Sequence, residues 1–202
     1  FSALTLSFIQ DYDSHLRTDC RLSPGTIINL TVQLKIIVGE AVADGIITTY
    51  PFTGYEPVRP KQKRRYLTSE ELQRLMTMPL HRPNLYLTRD LFLFSCYTGI
   101  PYSDMRLLSK EHLSLADDGT WWIRSSRRKT GVEFEIPLLD LPLHIMEKYR
   151  DTAPDGKLLP MYSNSTMNLN LKRIAKLCDI DCPLVFHAGR HTYATEITLG
   201  HG

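Results

Sequence analysis

A histidine and an arginine near the end of the chain have the types and the spacing to hold a phosphate. His187 and Arg190 lie three residues apart, so on a helix their side chains share one face. An imidazole beside a guanidinium fork is a donor pair that matches phosphate oxygens. Because the flanking residues are small or apolar, we expect the pair to be buried and held in place. The alternative is a core histidine beside an arginine in a structural ion pair.

Positive charge is concentrated in the later part of the chain. Residues 1–60 hold 4 of the 24 basic and 6 of the 22 acidic side chains, a net charge of −2, which leaves 20 and 16, a net +4, for residues 61–202. Clumped cations favour a polyanionic partner, although solvated surfaces have similar patterns. The clumps comprise Lys61, Lys63, Arg64 and Arg65 in one run and Arg124, Arg127, Arg128 and Lys129 in another.

Composition argues against membrane and secreted classes. Hydrophobic residues make up 43% of the chain and charged residues 23%, which is typical of soluble globular proteins. No apolar run approaches the ~18 residues that cross a bilayer, and the N-terminus lacks the pattern of a signal peptide. The few cysteines do not form a disulfide framework, so we expect a cytoplasmic protein. Cys178 and Cys182 lie near His187 but lack a second spaced pair, so no metal site is predicted.

The first 45 residues have the pattern of amphipathic helices. Ser23 and Pro24 form a helix start, with serine as the N-cap and proline at the first helical position, and Gly45 is a C-terminal stop. Apolar residues between them recur at steps of three and four and predict one buried face. These residues are Ile27, Leu30, Leu34, Ile37 and Ala41, and an upstream stripe, Leu4, Phe8, Tyr12 and Leu16, predicts a preceding helix.

A proline-rich segment separates this helical module from the rest. Three prolines and a glycine lie between residues 49 and 60, and the first basic run follows them. Such a composition is typical of a linker. A capping box of Thr68 and Glu71 then opens a new helix. We therefore predict a helical domain over residues 1–58, a basic linker over 59–66 and a second domain over 67–202.

The second domain combines helices with a small β-structure. Residues 86–96 are apolar enough for a buried helix, and a helical stripe recurs over residues 167–178. Residues 121–124 and 132–136 are rich in strand-forming residues, and the cationic segment 125–131 lies between them. This pattern predicts a hairpin with a positively charged turn. The predicted fold class is mainly α with a small antiparallel β-sheet (α+β).

Three motifs in this order resemble those of the tyrosine recombinase (phage integrase) family. They are the segments 98–104 (Thr-Gly-Ile-Pro-Tyr-Ser-Asp), 128–132 (Arg-Lys-Thr-Gly-Val) and 186–195, which contains His187 and Arg190. The likeness is greatest to integrases of mobile elements from Bacteroides-type bacteria, such as conjugative transposons. It implies a core-binding (SAM-like) helical domain followed by a catalytic domain.

The resemblance implies a specific reaction on DNA. In this family a tyrosine attacks a phosphodiester, forms a 3′-phosphotyrosine and frees a 5′-hydroxyl, without metal, ATP or another cofactor. Guanidinium groups stabilise the negative charge that concentrates on the nonbridging oxygens. A lysine protonates the departing 5′-oxygen as a general acid.

Residue roles follow from matching positions. Arg190 resembles the family's second catalytic arginine, and His187 resembles the histidine beside it. Lys129 matches a mobile lysine, with an exposed turn cation as the alternative, and Asp104 matches an acidic residue that supports the site, with simple helix capping as the alternative. His191 is expected to support the helix rather than touch phosphate.

One catalytic position departs from the family pattern. The first arginine of the family follows Thr-Gly-x, where this chain has Pro101, which cannot donate a hydrogen bond. We predict that Arg89, a charge on the preceding apolar helix, replaces it. Arg106 is the rival, and a structural ion pair of Arg89 with Asp90 or Asp104 is the alternative.

The chain is also expected to be a fragment. The family's nucleophilic tyrosine lies further downstream than residue 202, so we expect this chain not to cleave DNA by itself. The predicted function is site-specific DNA recombination or integration, with an inactive DNA-binding remnant or regulator as the alternative. A metal-dependent nuclease is disfavoured because no clustered carboxylates suit two metal ions.

The expected partner is double-stranded DNA, bound by a protein that forms a tetramer on DNA when intact. Affinity should depend largely on phosphate contacts. The candidate DNA-binding residues are Lys61, Lys63, Arg64, Arg65, Arg127 and Arg128.

Overall fold

The computed structural model describes residues 3–59, 66–154 and 156–198. The chain divides into two compact units, residues 1–62 and 63–202, and the division falls within the segment predicted as the linker. The roles of the two units as core-binding and catalytic domains stay predictions.

The first unit contains two helices, α1 (Leu6–Thr18) and α2 (Pro24–Ala43). The predicted start of α2 is confirmed, because the Ser23 side chain accepts a hydrogen bond from the Thr26 amide and proline occupies the first turn. Its small core consists of residues from both helices and from the segment that follows them: Ile9, Val38, Ile47, Phe52 and Tyr55.

The buried face of α2 differs from the predicted one. Ile27, Thr31 and Val38 are buried, whereas Leu30 and Ile37 are 38% and 62% exposed. Helix α2 has apolar side chains on nearly all of its faces, so periodicity alone does not identify the face that packs against the rest of the unit. The tertiary contacts with α1 and the chain after α2 determine it.

Helix α2 is also long and apolar enough to span a membrane by length and composition, with 17% of its apolar window buried. This finding corrects the expectation that no segment reaches that length. A single helix of this kind is weak evidence, because core helices and signal sequences pass the same test.

The second unit is built around one buried helix. Its helices are α3 (Ser69–Thr77), α4 (Pro83–Thr98), α5 (Tyr102–Met105), α6 (Asp140–Lys148), α7 (Asn164–Leu177) and α8 (His187–Thr192), and a π-helical segment (Tyr193–Ile197) follows α8. Helix α4 packs against α3, α6, α7, α8 and the π-helical segment. Because α4 packs against several elements, Leu91, Phe92 and Phe94 have no exposed surface.

A three-stranded antiparallel sheet completes the second unit. A 3₁₀ turn (Lys110–His112) leads into β1 (Leu113–Leu115), followed by β2 (Trp121–Ser126) and β3 (Glu133–Pro137), in the order β1-β2-β3. The β2–β3 pair is the predicted hairpin, with Ile123 opposite Ile136 on the buried face. Strand β1 is not predicted, because three residues are too few to display an alternating pattern. The chain is 52% helical, which confirms the predicted fold class.

The start of α3 is hydrogen-bonded to the C-terminal part of the described chain. The Thr68–Glu71 capping box that was predicted is present. The Leu67 amide donates to Thr192 Oγ1 (2.9 Å), and Ser69 Oγ donates to Glu196 Oε2 (2.5 Å). Leu67, two residues before α3, is therefore bonded directly to the last residue of α8.

Candidate active site

Helix α8 places His187 and Arg190 on its outward side. Its inward side is formed by Ala188 and Gly189, which are buried. Gly189 lies so close to α4 that an added Cβ would be 2.8 Å from Ser95 Oγ. The preceding Phe186 is also buried and packs against neighbouring aromatic rings. Close packing on the inner side thus fixes the direction in which the other two side chains point.

His187 and Arg190 line one open cavity of about 370 Å³. Both side chains are exposed, which corrects the expectation that the pair is buried. The shared helical face predicted from their spacing is present, but it faces the cavity rather than the core. Residues that line the cavity include Gly99, Arg127, His187, Arg190, His191 and Tyr193.

Arg190 is held by the backbone at the end of α4. Its Nη1 donates to the Gly99 carbonyl oxygen at 3.0 Å. Gly99 ends the helix in the left-handed region (φ 66°), which favours glycine. The Tyr193 ring covers this residue so closely that an added Cβ would lie 2.5 Å from Cδ1. Position 99 therefore requires glycine for both conformation and space.

Arg127 enters the same cavity from the β2–β3 hairpin. Its Nη1 donates to Asp104 Oδ2 at 3.2 Å, and its guanidinium carbon lies 4.9 Å from the centre of the Phe134 ring. Asp104 is only 5% exposed and accepts a second hydrogen bond from Ser103 Oγ at 3.0 Å. This carboxylate therefore holds Arg127 beside the cavity, and its buttressing role in catalysis stays a prediction.

The cavity is electrostatically positive. Two arginines and two histidines line it, and no carboxylate does so in the described part of the chain. The pKa of Arg190 is lowered, first because protein atoms remove part of its hydration and then because of the Arg127 charge; Asp104 opposes this shift. An arginine stays charged in any case, so the lowered pKa reflects lost hydration first and repulsion from Arg127 second, and a bound anion would offset both.

The two histidines of α8 contact each other. The rings of His187 and His191 are perpendicular, with their centres 4.7 Å apart, and both line the cavity. His191 thus lies beside the site as well as on the helix. The expectation that it supports the helix rather than touching phosphate stays a prediction.

Lys129 lies in the turn of the hairpin, outside the cavity lining. The turn is closed by hydrogen bonds from the Arg127 amide to the Val132 carbonyl (2.8 Å) and from the Gly131 amide to the Arg127 carbonyl (2.7 Å). Lys129 and Arg128 are both exposed at this tip. Lys129 is two residues from Arg127, which does line the cavity.

Arg89 has partners away from the cavity. Its Nη1 donates to the Met78 carbonyl at 2.8 Å, and its Nε lies 3.5 Å from Asp90 Oδ1. Asp90 also accepts from Lys148 Nζ (2.6 Å) and Tyr149 Oη (2.9 Å). The structure therefore does not support the prediction that Arg89 joins His187 and Arg190. Its contacts are those of the alternative, a structural ion pair with Asp90.

The remaining candidates lie elsewhere. Arg106, the rival replacement, is exposed at the end of α5 and does not line the cavity. Lys61, Lys63, Arg64 and Arg65 lie outside the described residues. Cys178 and Cys182 are free thiols in the core, and residues 3–59, 66–154 and 156–198 contain no group of three metal-ligating side chains.

Comparison with known proteins identifies the family. The model of the phage integrase family matches residues 65–199, more than half of the chain, so the chain belongs to this family. This match covers the β2–β3 hairpin, α8 and the cavity between them. No curated protein matches the sequence.

Solved structures with a similar fold include integrases bound to DNA. The λ integrase dimer on a COC′ core site has a TM-score of 0.72 and 18% identity, over 94% of this chain and 69% of that one. The Tn1549 transposon integrase with circular intermediate DNA has a TM-score of 0.72 and 19% identity, over 98% and 74%. A λ integrase tetramer on a Holliday junction has a TM-score of 0.74 and 18% identity, over 98% and 59%.

Proposed function

We propose that this chain is part of a site-specific DNA recombinase that cleaves and rejoins duplex DNA through a 3′-phosphotyrosine intermediate. The observation that carries the proposal is the cavity in which His187 and Arg190 converge with a second arginine and without a carboxylate. A cavity with that charge is suited to a phosphodiester. Membership of the phage integrase family supports the reaction class.

The proposed step assigns a task to each group. A tyrosine hydroxyl loses its proton to solvent as its oxygen attacks the scissile phosphorus, the phosphorus–O5′ bond breaks, and the 5′-oxygen leaves as a hydroxyl after taking a different proton. His187 and Arg190 donate to nonbridging oxygens, whose negative charge grows in the transition state. Lys129 donates the proton after its turn moves towards the DNA. Resealing reverses these events with a different 5′-hydroxyl.

Duplex DNA is the proposed partner, and a tetramer is the proposed assembly. The basic run at 61–65 and the hairpin cations Arg127 and Arg128 contact phosphates in this proposal. The first unit serves as the core-binding domain and the second as the catalytic domain. The DNA-bound states of the λ and Tn1549 integrases support this reading of the partner.

A second candidate function is DNA binding without cleavage. The proline at position 101, where the family has an arginine, favours it. The same cavity would then hold a phosphate without breaking a bond. A covalent product separates the two candidates.

The test traps the covalent intermediate on nicked DNA. The protein expressed from its complete reading frame is incubated, with EDTA present, with a duplex whose nick lets the cleaved 5′-fragment diffuse away. We expect a protein–DNA adduct that resists denaturation, and no adduct with Arg190→Ala, because losing one such donor costs on the order of 3–4 kcal/mol of transition-state stabilisation. Arg190→Ala should still retard the DNA in a binding assay.

Two outcomes would contradict parts of this proposal. DNA retardation without any adduct supports the second candidate function. Mapping the adduct by mass spectrometry also tests the prediction that the nucleophile lies beyond residue 202, since a DNA-linked peptide containing Tyr193, which borders the cavity, contradicts it.

A further inference from the structure

We propose that Arg127 supplies the catalytic guanidinium for which this chain has a proline at position 101. The inference rests on the proposed function and concerns the charge that stabilises the reacting phosphate. In this proposal a hairpin residue makes the phosphate contact that, in the family, an arginine just before α5 makes.

The first observation is that two arginines attach to one short segment. Arg190 donates to the Gly99 carbonyl, two residues before Pro101. Arg127 donates to Asp104, whose own amide bonds to the Pro101 carbonyl at 3.1 Å. The two guanidinium groups are therefore bonded to residues that precede and follow position 101 in the chain, Gly99 and Asp104. Arg127 reaches from the hairpin to the turn where the absent side chain would begin.

The second observation is that the hairpin holds Arg127 firmly. Its amide pairs with the Val132 carbonyl at the base of the turn, and its guanidinium packs over the Phe134 ring. Its side chain is 21% exposed, whereas Asp104 beneath it is 5% exposed. Such a preorganised donor loses little entropy when it binds an oxyanion. Lys129 at the tip lacks these restraints, which suits a separate role as the proton donor.

The third observation is that the single charge of the Asp104 carboxylate does not neutralise the charges of both Arg127 and Arg190. Among the described contacts, only Nη1 of Arg127 donates to the carboxylate, and Arg127 lines the cavity, where its other N–H groups can donate to a ligand. Arg127 also lowers the pKa of Arg190, so the two charges repel across the cavity. A phosphate between them removes that repulsion.

The other candidate arginines lack this placement. Arg89 donates to the Met78 carbonyl and pairs with Asp90, which is itself bonded to α6. Arg106 is exposed at the end of α5. Neither side chain lines the cavity that contains His187 and Arg190.

The experiment compares two substrates with Arg127→Ala, again in the protein from the complete reading frame. One nicked duplex has a normal scissile phosphate, and the other has a methylphosphonate, in which a methyl group replaces one nonbridging oxygen. The methylphosphonate has one negative charge fewer, so its transition state depends less on a guanidinium. We expect Arg127→Ala to slow adduct formation by on the order of 10²–10³-fold on the phosphate and far less on the methylphosphonate.

A matched control is available on the same hairpin. Arg124 has an exposed ion pair with Glu135 at 3.2 Å and does not line the cavity. Arg124→Ala removes the same charge from the same strand pair and should leave both rates near those of the wild type. Equal slowing by Arg124→Ala would assign the effect to hairpin charge in general and overturn the inference.

A second variant guards against loss of folding. Arg127→Ala leaves the buried Asp104 carboxylate without its cation, so the double variant Arg127→Ala with Asp104→Asn removes that uncompensated charge. It should show the same substrate dependence as Arg127→Ala. Equal loss on both substrates in the double variant would assign Arg127 a purely structural role and overturn the inference.

The remaining outcomes separate this inference from the proposed function. Normal cleavage of the phosphate by Arg127→Ala overturns the inference and leaves the proposed function standing. No adduct with the wild-type protein on either substrate overturns both.

Discussion

Asp104 shows how one buried carboxylate organises a site that is built from distant parts of the chain. It is 5% exposed, yet it accepts hydrogen bonds from Arg127 on the hairpin and from the neighbouring Ser103. A buried charge is stable only when it is paired and hydrogen-bonded. Asp104 therefore constrains Arg127 as strongly as Arg127 constrains Asp104.

At the same scale, the sequence predicts His187 and Arg190 but not the role of Arg127. The spacing of three residues is a local property of a helix, so their common face follows from the sequence alone. The Arg127–Asp104 contact joins residues 23 positions apart in sequence, and no local pattern encodes it. For that reason Arg127 was predicted only as a DNA-binding cation, and Arg89 was preferred for the vacant position.

Gly99→Ala should destabilise the protein more than a change of backbone conformation alone explains. The left-handed backbone strains any larger residue by about 1–3 kcal/mol, and the Tyr193 ring leaves no room for a Cβ. Chemical denaturation of the variant measures the loss of unfolding free energy. Gly119→Ala is the matched control, since Gly119 also has a positive φ (86°) but open space around it. Equal losses in the two variants would contradict the steric part of this argument.

At the level of elements, the sequence predicts best where a local signal is unambiguous. The capping box at Thr68, the proline start of α2 and the alternation in β3 all appear where expected. The face of α2 is predicted only in part: Ile27 is buried and Leu34 and Ala41 pack against the core, but Leu30 and Ile37 are exposed. The helix has apolar side chains on nearly all of its faces, so periodicity does not select the buried one. The end of α8 and the π-helical turn after it depend on packing against α4. The periodicity of apolar residues in the sequence does not predict such packing.

Thr192→Val should weaken the attachment of α3 to α8. Thr192 Oγ1 is buried and accepts the Leu67 amide, so valine leaves that amide unpaired, at a cost of about 1–3 kcal/mol. Hydrogen exchange of the Leu67 amide should become much faster than in the wild type. Thr192→Ser keeps the hydroxyl and is the matched control. Unchanged protection of that amide in Thr192→Val would show that the bond contributes nothing to the attachment.

At the scale of the whole molecule, the chain carries its charge unevenly between two compact units. The net charge of −2 over residues 1–60 and +4 over residues 61–202 means that long-range attraction to the proposed DNA partner comes mainly from residues 61–202. Net charge is a sum over residues, so the sequence alone is enough to indicate a polyanionic partner. The arrangement of the units on DNA depends on three-dimensional contacts, and sequence patterns do not predict it.

Neutralising the basic run should reduce both the affinity for DNA and its dependence on salt. Each phosphate contact contributes about −0.9 to the slope of log K against log salt concentration for duplex DNA. Binding titrations over a range of salt concentrations measure that slope for the wild type and for a variant with alanine at Lys61, Lys63, Arg64 and Arg65. A slope equal to that of the wild type would remove this run from the proposed interface.

A control for that titration is available on α7. Lys172, Arg173 and Lys176 are exposed cations that lie off the buried stripe of this helix. Alanine at these positions changes the net charge by a similar amount. It should shift affinity only slightly and leave the slope near that of the wild type.

The close approach of α8 to α4 limits how this sequence can vary. A methyl group on Gly189 would meet the side chain of Ser95, and Ser95 Oγ donates to the Ile100 carbonyl in the segment that also holds Arg190. Substitutions at positions 95 and 189 are therefore coupled: alanine at 189 requires a smaller residue at 95, which in turn gives up the bond to Ile100. Relatives that diverge at one of these positions should diverge at the other, and an engineered library should randomise the two together.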